Sequence, residues 1–127
     1  MTVPEAVLID TNVIIDGIVV EGAAISILTM FELVGGINSV GDLALRAARQ
    51  RRYDAAATAF DPFPVSGRVL EAYPDIDAAV VAIGRKPRPR RLDLMIAATA
   101  RAHELPLVTS NLDDYRGLEA LLEVRSP

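Results

Sequence analysis

The sequence predicts an α/β protein, a parallel sheet covered by helices on both faces. Short runs such as Ala6-Val7-Leu8-Ile9 are wholly apolar, as strands buried on two sides are. Such runs alternate with longer segments of helical apolar spacing. The chain has 127 residues, 51% hydrophobic and 24% charged, enough for one domain with a real core.

The first strand ends at Asp10, after which Thr11 or Asn12 caps a helix carrying Val13, Ile14 and Ile15. Gly17 to Glu21 reads as a turn and Ala24 to Leu28 as a second strand. Thr29 and Glu32 have capping-box spacing and open a short helix that Gly35-Gly36 ends. Ser39 and Asp42 start a longer helix reaching about Phe60. Phe63-Pro64-Val65 is a minimal extended piece, weakened by proline. Ser66 caps the next helix, which Pro74 is expected to kink or split. A loop from Arg85 to Arg91 leads to a helix over 92–104, with Leu94, Ala97, Ala98 and Ala102 as a small apolar face. Leu105 to Val108 is a third strand, Asp113 to Leu118 a turn or short helix, and Leu121 to Val124 a last strand. No repeat or linker divides residues 1–127, so a single domain is expected.

Several functions are excluded by inventory. Without Cys there is no disulfide framework, thiolate nucleophile, zinc finger or iron–sulfur cluster. The apolar stretches are too short to cross a bilayer, and no basic-then-apolar leader opens the chain, so a cytoplasmic protein with no membrane partner is expected.

The formal charge is −4, but it is unevenly spread. Arg46, Arg49, Arg51 and Arg52 form one basic run; Arg85, Lys86, Arg88, Arg90 and Arg91 form another. These nine are most of the 13 basic residues, which leaves 17 acids facing four cations elsewhere. A basic strip beside an acidic pocket suits an enzyme acting on a polyanion: the strip holds phosphates and the pocket holds cations. The first run also reads as the solvated face of a helix.

Four acidic positions fall at equivalent places. Asp10 follows the first strand, Glu32 follows the second, Asp93 opens the helix before the third, and Asp113-Asp114 come just after it. Sites in open parallel sheets form outside the carboxyl ends of the strands. Each acid alone has an ordinary explanation as a cap, a dipole partner or a turn former. Gathered together, they repel strongly unless a cation neutralises them, and hard oxygen ligands favour Mg²⁺ or Mn²⁺ over zinc.

These segments resemble the PIN-domain ribonucleases, and within them the VapC toxins of bacterial toxin–antitoxin pairs. The matching stretches are Leu8-Ile9-Asp10-Thr11-Asn12, Ser26 to Gly36, Leu92 to Ala100, and Leu107-Val108-Thr109-Ser110-Asn111-Leu112-Asp113-Asp114-Tyr115. The resemblance implies a three-layer α/β/α sandwich with a mainly parallel sheet of about five strands. It also implies a homodimer, Mg²⁺ or Mn²⁺ as cofactor, RNA as substrate, and a small cognate antitoxin. Asp10, Glu32 and Asp93 fall on the family's first three acids, with Asp114 as the fourth and Asp113 as its competitor. Thr11, Asn12, Thr109 and Asn111 would be polar support. Asp10, Asp93 and Asp114 would hold metal, Glu32 would ligate or orient water, and the two basic runs would carry RNA. Exposed apolar residues on the first helices, including Phe31 and Leu33, would form the antitoxin groove.

Competing readings fail on inventory. A haloacid-dehalogenase phosphatase needs a second Asp where Asn12 stands, and a receiver domain needs a Lys after a late strand, whereas Lys86 lies in the basic loop. A PIN-fold module that binds RNA or a partner without cleaving it stays open. His103 reads as a surface or helix-end residue; Tyr53, Tyr73 and Tyr115 read as packing or as platforms for unpaired bases.

Overall fold

The computed structural model describes residues 2–127. Four parallel strands form one sheet: β1 (Val7–Ile9), β2 (Ala23–Ala24), β3 (Leu107–Val108) and β4 (Val124–Arg125), in the spatial order β2-β1-β3-β4. Among the described residues five α-helices accompany them: α1 (Thr11–Ile15), α2 (Ile27–Asn38), α3 (Leu43–Ala59), α4 (Gly67–Ala82) and α5 (Arg91–Ala102). The α/β class therefore holds. No helix among the described residues is long and apolar enough to cross a membrane.

Alternation along β1 divides the core. Leu8 points to one face and packs with Val69, Ile76 and Val80 of α4 and with Leu94, Ile96 and Ala97 of α5. Val7 and Ile9 point to the other, with Val13 of α1, Met30 and Leu33 of α2 and Ala56 of α3. Leu107 and Val108 split the same way. A strand covered on both sides has no use for polar residues, which is why these runs are apolar throughout.

The sheet has four strands rather than about five. Phe63 supplies only a single parallel bridge to Ser26. Its N–H reaches the Ile25 carbonyl at 2.9 Å and its carbonyl accepts from Ile27 at 2.8 Å. Pro62 and Pro64 on either side lack the donors that would extend the ladder.

Several boundaries also differ. The second strand stops at Ala24 because Ser26, not Thr29, caps α2: its Oγ accepts from the Leu28 N–H at 3.1 Å. Gly35-Gly36 does not end α2, which runs on to Asn38 with Ile37 buried. Asp42 alone caps α3, through the Leu45 N–H at 2.7 Å, while Ser39 closes α2. Asp10, not Thr11 or Asn12, caps α1. Pro74 neither splits nor ends α4. Leu70, whose carbonyl loses its in-helix donor to Pro74, lies on an exposed turn that water can serve, and Val69 and Ile76 anchor both halves. The Arg85–Arg91 loop contains one short 3-10 turn, Arg88–Arg90, before α5.

Candidate active site

The chain passes from β1 to β2 on one side and later enters β3 on the other, so the sheet changes direction between β1 and β3. A crevice outside the carboxyl ends of those two strands is the usual ligand position in such sheets. Asp10 leaves β1 there and Thr109 leaves β3. The two ends are stitched together by the Asp10 N–H on the Val108 carbonyl at 2.8 Å.

Asp10 is buried, with 3% of its surface exposed, and its carboxylate is held by three donors. Oδ1 accepts from the Thr11 N–H at 2.8 Å. Oδ2 accepts from the Thr109 hydroxyl at 3.0 Å and the Tyr115 hydroxyl at 2.7 Å. Thr109 in turn accepts from Asn12 Nδ2 at 3.2 Å and from the Asn111 N–H at 3.1 Å, while Asn12 Oδ1 accepts from the Ser110 N–H at 3.0 Å. Thr11, Asn12 and Thr109 are thus hydrogen-bonded around Asp10, whereas Asn111 contributes its backbone and its side chain is exposed.

Glu32 extends from α2 toward Asp10. The Thr11 hydroxyl donates to its Oε1 at 2.7 Å, and Thr29, fully buried, lies 3.0 Å from Thr11 Oγ1 behind it. Burial raises the Glu32 pKa; the Thr11 hydrogen bond opposes this, and the Asp10 charge adds to it. Asp93 stands in the first turn of α5. Burial and the charges of Asp10, Glu32 and Asp114 raise its pKa to about 6, against a lowering by Arg90. These groups come from four separate stretches of chain, and the fold makes them electrostatic neighbours.

Asp114 joins them, with one oxygen 3.4 Å from Arg90 Nη1. Asp113 does not. It is exposed and lies 3.0 Å from Arg85 and 3.5 Å from Arg116, and the hydrogen bond from Arg85 holds its pKa below the usual range. The two adjacent acids are sorted by the arginines that meet them.

Among the described residues no group of three or more His, Cys, Asp or Glu side chains is arranged to hold a metal ion. The chemistry of the cluster still fits a small hard dication. Its donors are carboxylate oxygens, Arg90 pairs with Asp114, and burial together with the charges of Asp10, Glu32 and Asp114 raises the Asp93 pKa to about 6.

A cleft of about 360 Å³ lies between Glu32, Asp93 and the stretch from Arg88 to Leu92, so the second basic run borders the acids directly. Arg85 and Arg90 tie it to Asp113 and Asp114, while Lys86, Arg88 and Arg91 are exposed. In the first run only Arg46 and Arg51 are exposed. Arg49 caps the end of α2 through the Gly36 carbonyl at 2.6 Å, and Arg52 borders an apolar pocket with Ile14 and Ala59.

The aromatic residues also resolve. Tyr115 is 1% exposed and cannot stack on a base; its hydroxyl serves Asp10 instead, a role the sequence reading missed. An aromatic with a hydroxyl directly after a candidate acid was the available signal. Tyr53 and Tyr73 are half-buried. His103 is at the end of α5 but is not a surface group: its ring stacks on Phe63 at 4.0 Å, about 15 Å of helix rise from Asp93. Of the two apolar residues expected to form a partner groove, Phe31 is exposed and Leu33 is core.

Comparison with known proteins agrees with this architecture. The family model described as PIN domain matches residues 7–118. No curated protein matches the sequence. The chain is similar to VapBC-5 of the VapBC family of toxin–antitoxin systems from Mycobacterium tuberculosis, at 27% identity and a TM-score of 0.82 over 97% of this chain and 98% of that one. FitAcB from Neisseria gonorrhoeae matches at 22% identity and a TM-score of 0.74, over 94% of this chain and 96% of that one. DNA-bound VapBC from Salmonella typhimurium matches at 19% and 0.71, over 96% and 98%. At those lower identities the likeness is one of fold.

Proposed function

The chain belongs to the PIN-domain family and is built like its VapC-type members, and from that premise we propose that it is a Mg²⁺- or Mn²⁺-dependent endoribonuclease. In this reading its 127 residues are one domain. It acts in the cytoplasm as a homodimer and is the toxin of a pair, restrained by a small antitoxin. The observation that carries the reading is the gathering of Asp10, Glu32, Asp93 and Asp114 near the carboxyl ends of β1 and β3, where burial and then the neighbouring charges raise the Asp93 pKa.

Asp10, Asp93 and Asp114 would hold the cation, which when bound acidifies water and steadies charge building on a phosphodiester. Glu32, its carboxyl fixed by Thr11 and its proton affinity raised by burial, is suited to orient the attacking water and take its proton. Arg88 and Arg91, exposed along the cleft, and exposed Lys86 just before it in the chain hold the backbone of the RNA. No side-chain nucleophile is required. Exposed Phe31, with Ile15 and Val34, offers an apolar surface to the antitoxin.

The test is cleavage of RNA with and without Mn²⁺ on a sample whose Mn²⁺ binding is measured in parallel. Metal-dependent cleavage is expected; metal binding without cleavage favours the silent module. Asp113→Asn should cut within about twofold of wild type, because an exposed pair with Arg85 contributes little. Asp114→Asn should cut at least about tenfold more slowly, and equal rates for the two variants would reverse the assignment. Binding of single-stranded RNA should weaken with salt, and replacing both Lys86 and Arg88 by Ala should flatten the log–log slope by about 0.7 for each lost phosphate contact.

A further inference from the structure

A carboxylate offers about four lone-pair positions, two on each oxygen. On Asp10 Oδ2 both are taken, by the hydroxyls of Tyr115 at 2.7 Å and Thr109 at 3.0 Å. On Oδ1 one is taken, by the Thr11 N–H at 2.8 Å. All three donors sit on residues that are themselves buried, and Tyr115 is locked among the core residues that include Leu94 and Leu118. The Asp10 carboxylate therefore cannot turn over without breaking hydrogen bonds to a charged acceptor, the stronger kind.

We propose that Tyr115 is a positioning residue: with Thr109 it saturates Oδ2, so that Asp10 binds a divalent cation through Oδ1 alone. This rests on the metal-centre reading above and adds to it a residue and a mode of ligation. Phenylalanine would fill the same space but free a lone pair on Oδ2, and with it the carboxylate's orientation. Groups that orient a metal ligand are worth 10- to 100-fold in affinity.

The chain carries a convenient probe, since it has three tyrosines and no tryptophan. A cation drawing electron density from Asp10 must alter the Tyr115 hydrogen bond, and so its near-ultraviolet absorption, while Tyr53 on α3 and Tyr73 on α4, which donates to Asp77, supply the background. The experiment compares the full-length wild type with Tyr115→Phe. Mn²⁺ affinity is read by electron paramagnetic resonance, and tyrosine difference spectra are recorded on adding Mg²⁺. Expected are an affinity about tenfold weaker in Tyr115→Phe, and a Mg²⁺-induced tyrosine signal in wild type that the variant lacks. An unchanged affinity, an absent wild-type signal, or a signal that survives in the variant each overturns the assignment while leaving the metal centre standing. Failure of wild type to bind Mn²⁺ at all removes the metal centre and this inference with it. Should Tyr115→Phe not fold, the wild-type spectrum decides alone: a signal on Mg²⁺ addition supports the assignment and its absence overturns it.

Discussion

Asp93→Asn is expected to abolish RNA cleavage while making the metal-free protein more stable at neutral pH. Asp93 is raised from its ordinary 3.8 to about 6 by burial and by Asp10, Glu32 and Asp114. The native state therefore holds this proton more tightly than the unfolded chain does. Above about pH 6 the native carboxylate is charged and repelled, and the penalty is present in full; as pH falls from about 6 toward 3.8 it disappears. The asparagine is never charged, so it escapes the penalty. The raised pKa corresponds to a few kcal/mol, and allowing for solvent screening of a side chain that is only half-buried leaves about 1–2 kcal/mol. That is a rise of roughly 3–8 °C in Tm for a domain of this size. Saturating Mg²⁺ should reverse the order, because the variant has lost a ligand. The activity loss should be at least about 100-fold, several kcal/mol of transition-state stabilisation. Thermal melts at pH 7 and pH 5 check the sign: the advantage of the variant shrinks at the lower pH. A variant less stable than wild type at pH 7 without metal would contradict the electrostatic picture.

Asp10→Ala removes an acid of the same cluster and should do the opposite to stability. It relieves repulsion too, but it strands three buried donors, the Thr11 N–H and the hydroxyls of Thr109 and Tyr115, and removes the cap of α1. The cap and the Thr11 N–H are one hydrogen bond, whose loss costs about 1 kcal/mol, and each buried hydroxyl left without a partner costs about 1–3 kcal/mol. Because the two hydroxyls can turn to other acceptors, a net loss of about 3 kcal/mol is expected, read from urea unfolding, together with loss of cleavage. Stability equal to wild type would show that Asp10 is not the hub of these hydrogen bonds. The opposite signs at two acids of one site separate charge crowding at Asp93 from hydrogen bonding at Asp10.

The sequence made β1, Asp10 and the parallel class legible because a doubly buried strand must be apolar, and its first polar residue marks the sheet edge. Asp93 was legible for a similar reason, through its place in the first turn of α5, whereas Glu32, expected in a capping box at a helix start, lies inside α2. What failed was local. Ser26 and Thr29 both suit a cap, and only the fold decides: Ser26 takes the Leu28 N–H, while Thr29 goes into the interior behind Thr11. Gly35-Gly36 and Pro74 are breakers by propensity, overridden by buried Ile37 at one helix and by Val69, Ile76 and Val80 at the other. Asp113 and Asp114 are chemically identical neighbours, sorted only by arginines that arrive from the preceding loop, Arg85 and Arg90. Tyr115 had no local sign of burial, and its hydroxyl meets Asp10 across 105 residues of sequence. The basic runs were visible as charge, but the structural use of Arg49 and Arg52 was not.

The most direct measurement is the anomalous density of a crystal soaked in Mn²⁺. The account predicts a peak bounded by the carboxylates of Asp10, Asp93 and Asp114, with Glu32 beside it and Asp113 outside. A cluster free of anomalous density at a Mn²⁺ concentration that saturates the protein in solution, with each acid turned to its own amide, hydroxyl or arginine, would contradict it.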